Sequence, residues 1–310
     1  MLPQPLQLGL VGFGKIACDQ HVPAIAATGV ATLVAVADPN AFAAGVPCYP
    51  DLATMLAAEP GIVAVAMCQP PQARFAAARD ALLAGKHVLL EKPPGATLSE
   101  VEALVELAQA QGVTLFAAWH SRFAAGVAAA REWIAAAQVR SIRIVWKEDF
   151  RVWHPGQQWI WQAGGFGVFD PGINALSILT EIVSDSICMI AAELTRPSGH
   201  PAPIAAHLTM ATSHGVPIDA DFDFRQTGPQ RWDIVMEADE GKLLLGHGGT
   251  TLTINGVAMA MPTEQEYPAL YRRFAALVAR GLSEVDLAPL RLVADAFLIG
   301  SSCLSNDEVE

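Results

Sequence analysis

The chain has 310 residues, of which 52% are hydrophobic and 16% are charged, and its formal net charge is −12. This length exceeds what one hydrophobic core usually serves and therefore predicts two domains. The acidic balance argues against nucleic-acid or anionic-membrane partners. Because of this charge, small neutral ligands fit the composition better. No uninterrupted apolar run approaches the roughly 20 residues of a membrane span.

The cysteines and the first residues of the chain both indicate the cytoplasm. The five cysteines are odd in number, scattered and without CxxC spacing, which favours neither a disulfide framework nor a zinc site. The start, MLPQPLQLGLVGFG, has no basic region of a secretory leader and runs directly into a predicted strand. We expect a cytoplasmic protein that needs no metal ion.

The first third of the chain alternates predicted strands and helices, which is the pattern of a doubly wound parallel sheet. Thr97-Leu98-Ser99-Glu100 is a capping box at the start of a helix that Gly112 ends. Pro23 is expected to kink or split the first helix. The strands are predicted at Leu6 to Val11, Thr32 to Ala37, Ile62 to Met67, Val88 to Leu90 and Thr114 to Ala118.

Beyond about Arg122 the periodicity changes to that of an α+β domain, so the predicted domains are residues 1–121 and 122–310. In the segment 218–225 apolar and polar residues alternate strictly, which predicts a strand with one buried and one solvated face. Strands are predicted at 141–148, 186–196, 204–211, 218–225, 232–238, 243–245 and 251–254, and helices near 128–137, 264–280 and 286–301.

A glycine-rich turn, Gly12-Phe13-Gly14-Lys15-Ile16-Ala17, follows the first predicted strand and opens a helix. Gly12 permits the tight turn, and Gly14 lets a pyrophosphate approach the backbone at the helix N-terminus. Asp38, at the end of the second strand, can bind a ribose 2′-hydroxyl and would repel a 2′-phosphate. These residues predict NAD as the cofactor, with NADP possible; a glycine turn without ligand and an Asp-Pro turn are the alternatives.

Glu91-Lys92-Pro93 stands at the carboxyl end of the strand predicted at 88–90. Ligands bind at this edge of an open α/β sheet, so we expect the Lys92 ammonium to face cofactor and substrate. A solvated loop lysine is the alternative.

The segment 146–174, WKEDFRVWHPGQQWIWQAGGFGVFDPGIN, places four of the seven tryptophans among Glu148, His154, Asp170 and Asn174. Aromatic faces bind the apolar faces of a sugar ring, while carboxylate, imidazole and amide groups bind hydroxyls and move protons. An aromatic core patch is the alternative. Together with the nucleotide-binding turn, the segment predicts redox chemistry on a carbohydrate.

Asp170-Pro171 predicts a helix N-cap followed by proline, where the helix dipole favours the ionised carboxylate that a general base requires. Asn174, four residues on, shares the same helix face. Asp170 could be only a cap, and His154 competes for the role of base or is a packed loop histidine. Glu148 could bind a sugar hydroxyl or form a surface pair with its neighbour Lys147.

Several stretches resemble the family of glucose-fructose oxidoreductase and inositol dehydrogenase, over most of the chain. They are GFGKIA, Cys68-Gln69-Pro70-Pro71, AGKHVLLEKPPGATLSE, and Gly164-Gly165 leading to Asp170, Gly172 and Asn174. KIACDQHVPAI, EKPPGATL, WHSRF, WKED, WHPGQQWIW and FDPGINALS resemble more closely its bacterial D-galactose and L-arabinose 1-dehydrogenases. The resemblance implies a Rossmann domain and then an α+β domain with an open, mainly antiparallel sheet, and by analogy a possible homo-oligomer.

The resemblance also implies roles for individual residues. Lys92, Asp170 and Asn174 are expected at the reacting carbon, and Asn174 stands where a His or Tyr is commoner in the family, which makes Asp170 the expected base. Arg74 likewise stands where a His is usual. Substrate contacts are expected from Glu148, His154, Trp153, His120 and Trp232, and cofactor contacts from Gly12, Phe13, Gly14, Lys15, Ile16, Asp38, Cys68, Gln69, Pro70, Glu91 and Lys92.

The expected reaction is oxidation of the anomeric carbon of D-galactose, or of the related D-fucose or L-arabinose, to the lactone. C1 gives a hydride to the nicotinamide while a side chain takes the C1 hydroxyl proton. Two alternatives are a non-catalytic cofactor-binding sugar sensor and a reductase of an imine or other non-sugar carbonyl.

Overall fold

The computed structural model describes residues 4–40, 43, 45–263 and 266–309, and the chain divides into two compact units. The first unit runs to His120 and also takes Tyr267–Asp286; the second comprises Ser121–Glu266 and Leu287–Glu310. The predicted division at residue 121 assigns every later residue to the second domain and so does not include this return of the chain to the first unit. The chain returns because the apolar stripe of a helix in this segment packs on the first unit. Phe274 of the helix stacks on Phe116 with ring centroids 6.1 Å apart.

The first unit is a doubly wound α/β structure with a parallel sheet in the order β3-β2-β1-β4-β5-β6. This order reverses between β1 and β4, and such a switch point is where α/β sheets bind ligands. The strands are β1 (Leu6–Val11), β2 (Ala31–Ala37), β3 (Cys48–Tyr49), β4 (Ala64–Met67), β5 (His87–Glu91) and β6 (Leu115–Ala118). The helices are α1 (Val22–Thr28), α2 (Leu52–Ala58), α3 (Pro71–Leu83) and α4 (Leu98–Gln111), and α8 (Glu266–Arg280) returns near the end of the chain.

Local sequence explains these elements well. All four residues of β4 are fully buried, as expected of a central parallel strand covered on both faces. The predicted capping box at the start of α4 is confirmed, since both reciprocal bonds between Thr97 and Glu100 are present, and Gly112 ends the helix at φ 64°. Of the two expected outcomes at Pro23, a split of the helix is not observed; a π-helical segment at Ala17–His21 runs directly into α1 just before this proline.

The second unit is built on a nine-stranded sheet in the order β14-β13-β12-β11-β7-β10-β9-β8-β15. It is mainly antiparallel, as predicted; β10 with β7 and β15 with β8 are its parallel pairs. The strands are β7 (Val139–Lys147), β8 (Ile187–Pro197), β9 (Ala205–Thr212), β10 (Pro217–Asp223), β11 (Arg231–Ala238), β12 (Gly241–Gly246), β13 (Thr251–Ile254), β14 (Val257–Ala258) and β15 (Ser301–Ser305). The helices are α5 (Val127–Ala135), α6 (Phe150–Trp153), α7 (Phe169–Ile182) and α9 (Ala288–Ile299).

The predicted alternation of β10 is confirmed. Ile218, Ala220 and Phe222 are buried at 1%, 0% and 2% exposure, whereas the aspartates between them are half-buried. Helix α7 packs on the buried face, where Phe169 meets Phe222 edge-on with ring centroids 5.8 Å apart. This contact sets the start of α7 against the sheet.

Three short strands, β3, β14 and β15, are not predicted by the sequence pattern. The last predicted helix stops at Ile299, and Ser301–Ser305 then pairs with β8. A polar segment such as SSCLS has no apolar alternation by which to recognise a strand. Across the described ranges, the structure contains no helix with both the length and the apolar character needed to cross a membrane.

Candidate active site

The glycine turn lies at the carboxyl end of β1. Gly12 has φ +85°, and a Cβ there would lie 2.7 Å from the backbone nitrogen of Gln69, so glycine is required. A Cβ at Gly14 would meet nothing within 4 Å, which leaves the open approach that a pyrophosphate needs. Ile16 immediately precedes the π-helical segment, and Lys15 forms an exposed ion pair with Asp19 one turn on.

Asp38 ties the glycine turn to the end of β2. Its Oδ2 accepts a hydrogen bond from the backbone N–H of Phe13 at 2.8 Å, and its Oδ1 accepts one from Asn40 at 2.9 Å. The carboxylate is therefore held beside the turn where the sequence predicts the ribose.

The turn after β4 lies against the glycine turn. The backbone N–H of Cys68 donates to Val11 at 2.7 Å, and Pro70 caps α3. The Gln69 Oε1 atom is buried and finds no hydrogen-bond partner among the described residues. Because buried polar atoms are nearly always paired, this acceptor suits a donor on a bound ligand. With the space at Gly14 and the carboxylate of Asp38, these residues fit a dinucleotide.

Lys92 is half-buried and follows directly on β5, at the predicted edge of the sheet. The preceding Glu91 is 2% exposed, and its Oε1 accepts a hydrogen bond from the Tyr267 hydroxyl at 2.6 Å. His21 Nε2 lies 3.4 Å from the same oxygen. His120, predicted to bind substrate, is half-buried and stacks on Tyr267 with ring centroids 5.0 Å apart.

Glu91 is ionised in spite of its burial. Burial alone would raise its pKa, but the hydrogen bond and charge of His21, with His120 and Lys92, outweigh it and lower the pKa to about 2. The pKa of His21 is raised well above its usual value: burial lowers it, but Cys68 and Tyr271, together with the hydrogen bond to Glu91, raise it more. Glu91 and His21 therefore form a buried ion pair.

In the second unit, four predicted residues come together: Glu148, His154, Asp170 and Trp232. Glu148 is 3% exposed; its Oε2 accepts from Trp232 Nε1 at 2.9 Å, and its Oε1 lies 3.0 Å from His154 Nε2. The imidazole and the carboxylate are thus within hydrogen-bond distance, and a carboxylate oxygen acts only as an acceptor. On the other side of the ring, Nδ1 lies 3.9 Å from Asp170 Oδ2.

Asp170 is not an N-cap, and that prediction is wrong. Helix α7 has Val168 as its N-cap and Phe169 as its first residue, so that Asp170 lies within the first turn. The helix starts early because Val168 N–H donates to Pro203 O at 2.7 Å, a contact from a distant part of the chain. The dipole argument still holds, since its effect extends over the first turn. Asp170 is 4% exposed.

The loop before α7 has little room. A Cβ at Gly165 would lie 2.0 Å from Trp159 O, and one at Gly167 would lie 2.2 Å from Pro203 O. Phe166 has φ +73°, which is an uncommon conformation for a bulky residue. The backbone conformation at these positions therefore fixes the path of the loop that leads to Asp170.

The remaining predicted residues of this unit vary in exposure. Asn174 is half-buried on α7, one turn beyond Asp170. Trp153 is 39% exposed and its ring lies 5.0 Å from that of Trp232. Trp161 is 3% exposed and packs edge-on against Phe150 and Phe224, so its role is core packing.

Sequence reasoning missed three residues of these networks. His21 and Tyr267 contact Glu91 from positions far away in the chain, and no local pattern indicates either contact. Trp146, stacked on Trp232 with centroids 6.0 Å apart, has a buried Nε1 that finds no acceptor within the described ranges. Its place among the tryptophans of the 146–174 segment could have indicated it.

Among the described residues, His207, Asp219 and Asp221 are close enough together to bind a metal ion. They lie on the solvated face of the sheet, where Arg143 Nη2 is 3.0 Å from Asp221 Oδ2. Burial would raise the pKa of Asp221, but His207, Lys147 and Arg143 together lower it. Ion pairing on the sheet surface accounts for this cluster.

Comparison with known proteins accords with this geometry. Residues 6–119 match the model of an oxidoreductase family with an NAD-binding Rossmann fold. A galactose 1-dehydrogenase of Pseudomonas fluorescens is 47% identical over 298 residues, covering 96% of this chain and 97% of the relative. The chain belongs to this oxidoreductase family. The resemblance, the fold class and the expected NAD-binding oxidoreductase are thereby confirmed.

Solved structures give the same result. The crystal structure of a D-galactose-1-dehydrogenase protein from Rhizobium etli superposes with a TM-score of 0.94 at 51% identity, covering 98% of each chain. A 3-ketoreductase from Actinomadura kijaniata in complex with NADP and TDP-benzene superposes with a TM-score of 0.85 at 18% identity, over 97% of this chain and 99% of the other. The second likeness is one of fold alone.

Proposed function

We propose that this chain is an NAD-dependent aldose 1-dehydrogenase that oxidises the anomeric carbon of D-galactose to the lactone. The observation that carries the proposal is the Glu148–His154–Asp170 cluster, in which two buried carboxylates flank a half-buried imidazole, in a chain similar over nearly its whole length to a galactose 1-dehydrogenase. A carboxylate in the first turn of a helix, next to an oriented imidazole, suits a general base for a sugar hydroxyl.

Each group has a proposed task. Asp170 accepts the proton of the C1 hydroxyl, and Asn174 donates a hydrogen bond to the substrate from the same helix. Glu148 fixes the tautomer and orientation of His154, which stabilises the proton once it is on Asp170. Lys92 donates a hydrogen bond to the C1 oxygen and stabilises its developing negative charge.

Bound NAD supplies the nicotinamide that accepts the hydride from C1. The proton leaves from the C1 hydroxyl as the hydride leaves from C1, so the bond between C1 and this oxygen becomes the carbonyl of the lactone. Asp38 supports NAD over NADP, since its carboxylate, held by two backbone N–H groups, would repel a 2′-phosphate.

The test is a panel of initial rates with D-galactose, D-fucose, L-arabinose, D-glucose and D-xylose, each with NAD and with NADP, and with the product identified by NMR. We expect the highest kcat/KM for D-galactose with NAD and a galactonolactone product. D-fucose or L-arabinose as the better substrate would replace the proposed sugar. No reduced cofactor with any aldose would overturn the proposed activity.

The roles of Asp170 and Lys92 need separate variants. Asp170→Ala should lower kcat on the order of 10² to 10⁴-fold, as expected of a lost general base, with NAD affinity unchanged. Lys92→Met should also lower kcat far more than it weakens NAD binding; the opposite pattern would make Lys92 a cofactor ligand.

A further inference from the structure

Glu91 anchors the backbone immediately before Lys92. Its carboxylate is 2% exposed and accepts the Tyr267 hydroxyl bond at 2.6 Å. The Tyr267 ring is itself held, because His21 packs edge-on with ring centroids 5.0 Å apart at 68°, and His120 stacks on it at 20°. The anchoring side chain thus has a fixed partner in a fixed orientation.

Arg74 anchors the backbone on both sides of Lys92. This side chain is 2% exposed, and its Nη1 donates to the backbone oxygens of Glu91 and Pro93. Its Nη2 donates to the backbone oxygen of Gln69. The planar guanidinium carries several donors in a fixed geometry, so one side chain joins the turn after β4 to the loop that carries Lys92.

A buried ion pair such as that of Glu91 and His21 could serve only stability, but the geometry has a more specific consequence. The two anchors meet at the residues directly before and after Lys92, and they leave the lysine between them half-buried. Displacement of a reacting group by about 1 Å can cost on the order of 10²-fold in rate. Fixing both flanking residues restricts where the ammonium can lie.

We propose that Glu91, Tyr267 and Arg74 are positioning residues for Lys92. The Tyr267–Glu91 hydrogen bond holds the residue before it, and the Arg74 guanidinium holds the carbonyl groups on both sides. The three residues act through Lys92 and not on the substrate. This inference rests on the catalytic role proposed for Lys92, and its test is designed to separate the two.

The test compares the three tyrosines of the chain. Tyr267→Phe removes only the hydroxyl that holds Glu91. Tyr49→Phe is the matched control, because the Tyr49 hydroxyl also donates to a carboxylate of the first unit, Glu59, at 2.9 Å. Tyr271→Phe, whose hydroxyl lies 2.7 Å from His21 Nδ1, perturbs the network one step further from Lys92.

We expect Tyr267→Phe to lower kcat on the order of tenfold, with unchanged NADH affinity and a binding stoichiometry of one per folded chain by fluorescence titration. Unchanged stoichiometry excludes a loss of folded protein as the cause. Tyr271→Phe should have a smaller effect, and Tyr49→Phe should have none. Wild-type kcat in the Tyr267 variant would overturn the proposal.

Arg74→Lys is the second variant. It keeps the positive charge but cannot reach all three carbonyl groups, so we expect a loss of kcat at least as large. Lys92→Met belongs in the same series. If that variant is inactive while Tyr267→Phe and Arg74→Lys are normal, only the positioning proposal fails. If Lys92→Met keeps normal kcat, the proposed role of Lys92 fails.

Discussion

Glu148→Gln tests the hydrogen bonds of the second-unit cluster with the smallest change in shape. The carboxylate accepts from two half-buried donors, Trp232 Nε1 at 2.9 Å and His154 Nε2 at 3.0 Å. A glutamine keeps one acceptor oxygen and turns an amide N–H₂ toward the other donor, so one bond is lost. A hydrogen bond to a charged group contributes about 1.5 to 3 kcal/mol, and we therefore expect about 2 kcal/mol of destabilisation.

The assay is urea unfolding at pH 7, followed by far-UV circular dichroism, together with kcat. We expect the urea midpoint to fall and kcat to drop on the order of tenfold as His154 loses its fixed orientation. Asp149→Asn is the matched control: it removes the same charge one residue away, where Asp149 pairs with the exposed Arg151, and should change stability by at most about 0.5 kcal/mol. Equal midpoints and equal kcat for the Glu148 variant and the wild type would refute this reasoning.

Four further predictions concern the first unit. Gly14→Ala should keep the wild-type Tm, because its Cβ meets nothing within 4 Å, but should weaken NAD binding on the order of tenfold or more in a fluorescence titration. Asp38→Asn should raise the NADP to NAD ratio of kcat/KM on the order of tenfold, since it removes the repulsive charge. The pKa of Glu91 is about 2 in the folded protein, against an ordinary value of 4.5. One pKa unit corresponds to about 1.4 kcal/mol, so ionised Glu91 contributes about 3 kcal/mol to the free energy of unfolding. This contribution is present above pH 4.5 and is lost as the pH falls toward 2, a loss that urea unfolding of Glu91→Gln should lack. Thr97→Ala should cost about 1 kcal/mol in urea unfolding through loss of the capping bond.

Much of the first unit could be predicted because its signals are local. Parallel strands buried on both faces read as unbroken apolar runs, and a glycine turn, a proline and a capping box each impose a backbone geometry on their own neighbourhood. The return of α8 to this unit could not be predicted. Its apolar stripe shows that the helix is amphipathic, but not which sheet it covers.

The candidate site, too, could be predicted where its residues are close together in the sequence, and not where they are far apart. Glu148, His154 and Asp170 lie within one segment of unusual composition, and the structure brings them together. The partners of Glu91 were not predictable, because Tyr267 lies 176 residues away in the chain. The N-cap assigned to Asp170 was wrong for the same reason: the start of α7 depends on the distant Pro203.

The central claim is that C1 of D-galactose gives its hydrogen as hydride to NAD. The most direct measurement is the reaction of wild-type protein with D-[1-²H]galactose and NAD, followed by mass spectrometry of both products. We predict one deuterium in each reduced cofactor formed and none in the galactonolactone. Reduced cofactor without deuterium, or a product that still carries deuterium at C1, would contradict the account.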